Sequence, residues 1–334
     1  MRFTLIALAT LAVTAPLAAC GSELPPAAEP GDAPEARDLA DLPGSFFRVG
    51  NEPEGIVYDR VTGLIALSTR DPNALVILDG QTGEIRRRVP LAQPARHLSL
   101  AGPGGPVLVP SEDANELIEV ELPGGSTRAT ATGAQPHDAT SADGKLFVAD
   151  EFADQISVVE DGRVRTMLEA PKQPGGIVAI DDRLVALITV KERKLSLYDA
   201  ETLEALDEVD AGAGPTHIVA ADDGRVYVAD TDGGAVLVFD TEPKLEVSGR
   251  ATASGAPYGI AIDNERDELW VTLTSRNRVN VYSLAGEDPE RVRSYATVGQ
   301  PNTLAIDPDT GTAFIAGRDA GVVQRIRPRA ESGS

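Results

Sequence analysis

The sequence predicts an all-β protein, a seven-bladed β-propeller with four-stranded blades. A short opening that ends in proline recurs seven times along the chain, at Pro53, Pro94, Pro136, Pro174, Pro215, Pro257 and Pro301. The steps between these prolines are 38 to 44 residues long, and propeller blades are about 40 to 45 residues long. Short alternating apolar segments fill each unit, as expected of strands rather than helices.

Each unit contains the elements of one blade, and the fifth unit shows them clearly. An apolar strand at residues 218–220 is followed by the turn Asp223-Gly224 and a second strand at residues 226–230. A third strand follows at residues 236–239. Outer fourth strands are more polar, as at residues 85–89. Four strands joined by tight turns make one propeller blade.

The seventh unit lacks a fourth strand, and a spare strand lies elsewhere in the chain. After its third strand at residues 322–326 the apolar pattern ends, whereas residues 45–49 form an unassigned apolar strand before the first opening. An unpaired sheet edge invites pairing with other chains, so proteins protect it. We therefore expect residues 45–49 to complete the last blade and close the ring.

The first residues have the pattern of a lipoprotein signal peptide, predicted at residues 1–19. Met1-Arg2 is a basic start, residues 3–16 are mainly apolar, and Leu17-Ala18-Ala19-Cys20 resembles the lipobox of bacterial lipoprotein precursors. An ordinary signal peptide or a membrane-spanning helix are the alternatives, but about 20 apolar residues are needed to span hydrocarbon. Cys20 is the only cysteine, so we expect it to be lipidated and the protein to be exported and anchored to a membrane of the cell envelope.

Between the anchor and the propeller the sequence predicts a tether at residues 20–43. This segment is rich in proline, alanine and glutamate, a composition that does not support a packed core. We expect it to be unpacked and semi-extended. The propeller is then predicted at residues 44–328, with a disordered tail at residues 329–334.

The charge balance limits the class of partner. The chain has 52 acidic and 30 basic residues, for a formal net charge of −22. Nucleic-acid binding depends on clustered basic residues, so nucleic acid is an unfavourable partner. Membrane contact is expected through the lipid anchor alone, and the acidity itself is explained by solubility.

The blades resemble the YVTN-type, YncE-like family of β-propeller repeats. The similarity is carried by the opening prolines, by Val-Tyr-Val-Ala-Asp at residues 226–230, and by Leu-Asp-Gly-Gln-Thr-Gly at residues 78–83. It covers about residues 45–328. The resemblance implies the propeller fold and leaves function open, because such propellers carry many unrelated activities.

Residues that follow the opening prolines are expected to line one mouth of the central channel. All three histidines of the chain lie within three residues of such a proline. The predicted ligand-binding residues are Glu54, Arg96, His97, His137, Asp138, His217, Tyr258 and Asn302. Loops between second and third strands should flank the same mouth, with charged residues that include Arg70, Glu112, Glu151 and Arg318.

Two interpretations of the histidines remain open. His137, His217 and Glu54 are candidate ligands of a divalent metal, since imidazole and carboxylate suit zinc and similar ions. Alternatively, the imidazoles form hydrogen bonds with neighbouring loops, and His97 is simply buried.

The sequence favours a non-catalytic binding or scaffold module that recognises a protein, peptide, glycan or small molecule. It contains no nucleophile elbow, phosphate loop or Cys-x-x-Cys-His site, and no catalytic residue is predicted. The alternative is a metal-dependent hydrolase of the lactonase type. Residues 53–59, with Glu54, and Asn302 resemble parts of the gluconolactonase metal site.

Overall fold

The computed structural model describes residues 26–286 and 288–328. The predictions for the signal peptide, for Cys20 and for the tail lie outside these residues. Within them the chain forms seven four-stranded antiparallel sheets, which confirms the predicted seven-bladed propeller. No helix in the described part of the chain is long and apolar enough to cross a membrane.

The strands follow the repeat predicted from the opening prolines. The first strand is β1 (Ser45–Arg48). Blade 1 has β2 (Ile56–Asp59), β3 (Leu64–Thr69), β4 (Ala74–Asp79) and β5 (Ile85–Pro90). Blade 2 has β6 (Ser99–Leu100), β7 (Val107–Ser111), β8 (Glu116–Val120) and β9 (Thr127–Ala131). Blade 3 has β10 (Pro136–Ala142), β11 (Lys145–Asp150), β12 (Gln155–Glu160) and β13 (Arg163–Glu169).

The remaining blades repeat this order. Blade 4 has β14 (Pro174–Ala179), β15 (Leu184–Thr189), β16 (Lys194–Asp199) and β17 (Ala205–Asp210). Blade 5 has β18 (Pro215–Ala220), β19 (Val226–Asp230), β20 (Ala235–Asp240) and β21 (Glu246–Thr252). Blade 6 has β22 (Pro257–Asp263), β23 (Glu268–Leu273), β24 (Arg278–Ser283) and β25 (Glu290–Ala296). Blade 7 has β26 (Pro301–Asp307), β27 (Thr312–Gly317) and β28 (Val322–Ile326). Short 3-10 helices occur at Leu39–Asp41, Thr274–Arg276 and Arg318–Ala320.

The ring closes through β1, as predicted. This strand pairs antiparallel with β28, with Phe47 opposite Val323, and completes blade 7 in the order β1-β28-β27-β26. Phe47 is buried and stacks on Phe314 at a ring distance of 6.5 Å. The first and last strands of the propeller therefore share one sheet, which removes an exposed edge.

The core lies between blades. Apolar side chains of the second and third strands are almost fully buried, because both faces of each sheet are covered by a neighbouring blade. Trp270 illustrates this arrangement: it is buried, packs with Leu304 and Ile315 of the next blade, and stacks on Tyr295 at 5.8 Å. Trp270 is thus a core residue at the contact between blades 6 and 7.

The segment before the propeller differs from the prediction. Residues 26–36, which we call the strap, lie on the propeller instead of extending away from it as an unpacked tether. The Gly31 N–H donates to Thr274 Oγ1 at 2.8 Å, and Asn277 Nδ2 donates to the Pro34 carbonyl at 2.9 Å. Further along, Leu42 is buried against Val298 and Val322. Backbone hydrogen bonds and the fit of small side chains hold the strap on the propeller. Amino-acid composition predicts neither of these interactions.

Candidate functional site

The inner strands present the residues that follow the opening prolines to the channel. In five blades the pairing of the inner strand with its neighbour shifts directly after the proline, as between Pro136 and Asp138 and between Pro215 and His217. Irregularities of this kind change the direction of side chains that a regular strand would alternate. They place consecutive residues of one strand at the mouth.

The structure brings the three histidines together, although they belong to three different blades. The ring of His97 lies 4.5 Å from that of His137 and 4.6 Å from that of His217, measured between ring centres. His217 in turn meets the edge of Tyr258 at 4.5 Å. The four rings form a continuous aromatic row across the channel mouth.

Arg96 connects this row to two carboxylates. Its Nε donates to Glu112 Oε1 at 2.7 Å, and its guanidinium lies 3.4 Å from Glu151 Oε2. His137 Nδ1 lies 3.2 Å from Glu151 Oε2 and 3.5 Å from Glu112 Oε1. Gln173 Nε2 donates to the other oxygen of Glu151 at 2.7 Å. We call Arg96, Glu112, His137 and Glu151 the charged network.

The charged network holds a proton on His137. Burial disfavours the charged imidazole, but the hydrogen bonds to Glu112 and Glu151 outweigh burial and raise the pKa of His137 to about 9. The same contacts, with Arg96, lower the pKa of Glu112 to about 2 and lower that of Glu151. At neutral pH the two cations and two anions of the charged network therefore balance.

The other two imidazoles are neutral. Burial, together with repulsion from His137 and Arg96, lowers the pKa of His217 to about 3. Burial and the same neighbours hold the pKa of His97 well below its usual range. Neither ring nitrogen of His217 has a hydrogen-bond partner among the described residues. Burial also raises the pKa of Tyr258, so its phenol stays protonated.

Asp138 lies on the inner side of the histidines. Its carboxylate accepts hydrogen bonds from the Ala139 and Ile177 N–H groups, at 2.9 and 3.1 Å. Burial nevertheless raises its pKa to about 6. Asp138 and His217 line an inner channel cavity of about 180 Å³.

A separate cavity of about 220 Å³ opens at the mouth. It is lined by Arg96, His97, His137 and Tyr258, and by residues of the strap, Ala27, Ala28 and Glu29. Arg96 and His97 border both this mouth cavity and the inner one. His97, His137 and Tyr258 of the row therefore line the mouth cavity, whereas His217 lines the inner one.

Two predicted residues belong to another part of the mouth. Glu54 is buried, and its carboxylate accepts from Arg70 at 2.9 Å and from Asn302 Nδ2 at 3.5 Å. Its backbone carbonyl also accepts a hydrogen bond from the Thr303 hydroxyl. Glu54 and Asn302 thus form their own cluster between blades 7 and 1.

The arrangement does not fit a metal ion. Among residues 26–286 and 288–328, no group of three or more histidine, cysteine, aspartate or glutamate side chains is placed to hold one. Of the three candidates, His137 carries a proton shared with carboxylates, and Glu54 pairs with Arg70. The three imidazoles contact one another through tilted rings, at interplanar angles of 49° and 31°.

Several site residues were not predicted as ligand-binding from the sequence. Glu112 and Glu151 were noted only as loop charges, and Gln173 and Phe152 were missed. Glu112 and Glu151 occupy equivalent positions, each directly after the second strand of its blade. An alignment of the blades on their second strands would have placed both beside the opening residues. Phe152 follows Glu151 and leaves 60 % of its surface exposed at the cavity rim.

A wider cleft of about 1060 Å³ lies beside the strap, between it and blades 7 and 1. Its lining includes Asp32, Glu52, Asp71 and Asp319. Arg318 and Arg70 both lie within 4.0 Å of the Glu52 carboxylate. The cleft is an open acidic surface without the stacked rings of the mouth cavity.

Comparisons with known proteins agree with the fold and leave function open. No family model matches the sequence. The chain is 23% identical over 263 residues to Protein NirF of Pseudomonas aeruginosa, covering 69% of this chain and 65% of that protein. The chain therefore spans about two thirds of the length of that relative.

Two solved structures with the same fold have unrelated names. A streptogramin B lyase structure superimposes with a TM-score of 0.72 at 17% identity, covering 84% of this chain and 96% of the other. A chain of the mitotic checkpoint complex superimposes with a TM-score of 0.76 at 10% identity, covering 89% and 97%. At these identities the likeness shows the propeller alone, which serves both enzymes and protein assemblies.

Proposed function

We propose that this protein is a binding module whose mouth cavity receives one planar or aromatic group of a ligand. The observation that carries the proposal is that three rings, those of His97, His137 and Tyr258, line a cavity rimmed by hydrogen-bonding groups. Neutral rings offer flat apolar faces for stacking, and their ring nitrogens and hydroxyl offer hydrogen bonds. His217, whose ring nitrogens have no hydrogen-bond partner among the described residues, lies behind these rings, between His97 and Tyr258.

The electrostatics favour a ligand group without net charge. The charged network is balanced within itself, so it holds Arg96 and His137 in place without presenting an excess of either charge. Charged groups fixed in this way give orientation and specificity, because their geometry is set before the ligand arrives.

The cavity size favours one group of a larger ligand. A volume of about 220 Å³ is below the roughly 300 to 1,000 Å³ typical of sites that enclose a whole drug-sized molecule. Phe152 extends the apolar surface from the cavity to solvent. A side chain of a peptide or protein, or one ring of a small molecule, matches this combination.

The NMR signals of the imidazoles test this proposal directly, because the chain has only three histidines and all three line the channel. Histidine-labelled protein is titrated with p-cresol, indole and benzoate as probes. We expect the neutral p-cresol and indole to shift the signals of His97 and His137, which line the mouth cavity, more than benzoate does. Tyr258→Ala should weaken this binding, and Thr310→Val on the opposite side of blade 7 serves as the control. Unchanged imidazole signals with all three probes would contradict the proposal.

The proposal also includes the cellular location of the protein and its repeat family. The lipobox at Leu17 to Cys20 supports an exported, lipid-anchored envelope protein, and the blade motifs support membership of the YVTN-type, YncE-like propellers. Incorporation of labelled palmitate into the full chain, and its loss in Cys20→Ser, tests the anchor. Labelling that persists in Cys20→Ser contradicts it.

The lactonase-type alternative receives less support. Glu54 and His137 already hold other partners, and a hydrolase of that type needs their donor atoms for a divalent ion. Elemental analysis of purified protein combined with a lactone-hydrolysis assay distinguishes the two functions. Stoichiometric metal together with turnover that is lost in Glu54→Ala would establish the hydrolase instead.

A further inference from the structure

The strap follows a defined path over the mouth face of the propeller. Ala28 lies at Gly214, at the start of blade 5, and Gly31 lies against Ala256 and Ser275 of blades 5 and 6. Ala36 lies at Gly299, between blades 6 and 7. The strap thus crosses the rim of three blades before the chain enters β1.

Side chains of the propeller hold the strap by its backbone. Thr274 Oγ1 accepts from the Gly31 N–H at 2.8 Å, and Gln300 Nε2 donates to the Gly31 carbonyl at 3.3 Å. Asn277 Nδ2 donates to the Pro34 carbonyl at 2.9 Å. Asn277 is itself fixed, because its Oδ1 accepts from the Gln300 N–H at 3.0 Å. Backbone bonds of this kind recognise an extended chain, whatever its side chains.

Steric fit supplies the selectivity that backbone bonds lack. A Cβ atom on Gly31 would lie 2.7 Å from Ala256 Cβ and 2.9 Å from Ser275 Cβ. On the propeller side, a Cβ atom on Gly214 would lie 2.8 Å from Ala28 Cβ, and one on Gly299 would lie 3.0 Å from Ala36 Cβ. The groove therefore excludes a side chain at Gly31, and its own glycines allow Ala28 and Ala36 to approach closely.

The inner end of the strap also borders the mouth cavity. Ala27, Ala28 and Glu29 line that cavity together with His97 and Tyr258. The strap therefore forms one wall of the cavity proposed to receive the ligand group, and its position limits how wide the entrance is.

We propose that the rim formed by Gly214, Ala256, Thr274, Asn277 and Gln300 is a groove that binds extended peptides of small residues, with the strap as its own intramolecular occupant. Occupancy narrows the entrance to the mouth cavity, and release of the strap widens it. The groove rests on the contacts of the strap, whereas the closing role rests also on the proposed function. Attachment in the same chain gives the strap a high effective concentration, so an external peptide competes poorly with it.

A peptide of residues 26–38 tests the groove in the full chain. Gly31→Val unseats the strap through its contacts with Ala256 and Ser275, and leaves every blade intact. We expect the fluorescent peptide to bind this variant at least about tenfold more tightly than the wild-type chain. Asp32→Val, with an exposed side chain at the next position, is the matched control and should behave as wild type.

Two further measurements make the groove result decisive. A peptide carrying Gly31→Val should bind the unseated chain about tenfold more weakly, and so should the wild-type peptide when Thr274→Val is added to that chain. Equal binding of both peptides, or no binding to the unseated chain, overturns the groove. Hydrogen exchange of the wild-type protein is a further test that needs no variant. We expect the Gly31 amide to be protected, because it donates to Thr274. Fast exchange of this amide would show that the strap is not bound in the groove.

The closing role is tested separately with p-cresol. We expect it to bind Gly31→Val about tenfold more tightly than wild type, since the strap no longer narrows the entrance to the cavity. Equal affinity of p-cresol for both chains would overturn the effect of the strap on the cavity. It would not contradict the groove or the proposed binding site. If p-cresol binds neither chain, the proposed site fails together with its closure, whereas the peptide result still decides the groove.

Discussion

The two halves of the channel mouth differ at one structurally equivalent position, the residue directly after the second strand of each blade. In blades 7, 1, 2 and 3 this residue is charged: Arg318, Arg70, Glu112 and Glu151. In blades 4, 5 and 6 it is neutral: Val190, Thr231 and Thr274. The first set makes ion pairs, whereas the two threonines of the second set make hydroxyl hydrogen bonds and Val190 makes none.

Because of this difference, the two halves of the mouth make different kinds of interaction. The charged half fixes Arg96 and His137 beside the cavity. On the neutral half, Thr231 Oγ1 donates to the Pro257 carbonyl at 2.6 Å, and Thr274 receives the strap. The residue after the second strand therefore orients charged side chains beside the cavity in one half of the mouth. In the other half, the same position binds the backbone of the strap.

The largest effect is expected from pH, and it belongs to the charged half alone. The pKa of His137 is about 9 in the folded protein and about 6.5 in the unfolded chain. Its stabilising contribution is therefore complete below about pH 6.5 and is lost as the pH rises through 9, which amounts to about 3 kcal/mol. Urea unfolding at about pH 6 and pH 10, compared between wild type and His137→Asn, measures it. A difference between the two proteins that does not change with pH contradicts the assignment.

The next largest effect is expected from Arg96→Met. Loss of the guanidinium leaves Glu112 and Glu151 with His137 as their remaining cation, so the charged network acquires a net negative charge. Removing one partner of a buried pair costs about 3 to 5 kcal/mol, and partial exposure of Arg96 reduces this to about 2 kcal/mol. Arg165→Met, at a pair with Asp161 in which both side chains are exposed, should cost less. Equal losses in unfolding free energy would show that the charged network has no special role.

A smaller effect is expected in the neutral half. Thr231→Val keeps the shape of the side chain but removes its bonds to Thr216 Oγ1 at 2.7 Å and to the Pro257 carbonyl. We expect a loss of about 1 kcal/mol in unfolding free energy, because the Pro257 carbonyl is left without this partner. This loss should be the same at pH 6 and pH 10. A loss that changes with pH would mean that the two halves are not independent.

The sequence was sufficient for the fold because the blade repeat, the alternating strands and the unpaired seventh unit are local patterns. Because seven blades close into a ring, the sequence also predicted that histidines far apart in the chain lie at the same channel mouth. The charged network was not predictable, because it depends on which side-chain conformations bring Arg96 between Glu112 and Glu151. The strap was predicted wrongly because small residues and prolines indicate an unpacked chain unless a complementary groove such as that at Gly214 and Gly299 is known.

The pH titration of the three imidazoles in histidine-labelled wild-type protein tests the buried histidine row and the charged network most directly. We predict one imidazole, His137, with a pKa near 9, and two that stay neutral down to acid pH, with His217 near 3. His137→Asn should remove the high transition and leave the other two rings neutral at pH 7. Three independent transitions near pH 6.5, the value of a solvated histidine, would contradict the buried row and the charged network together.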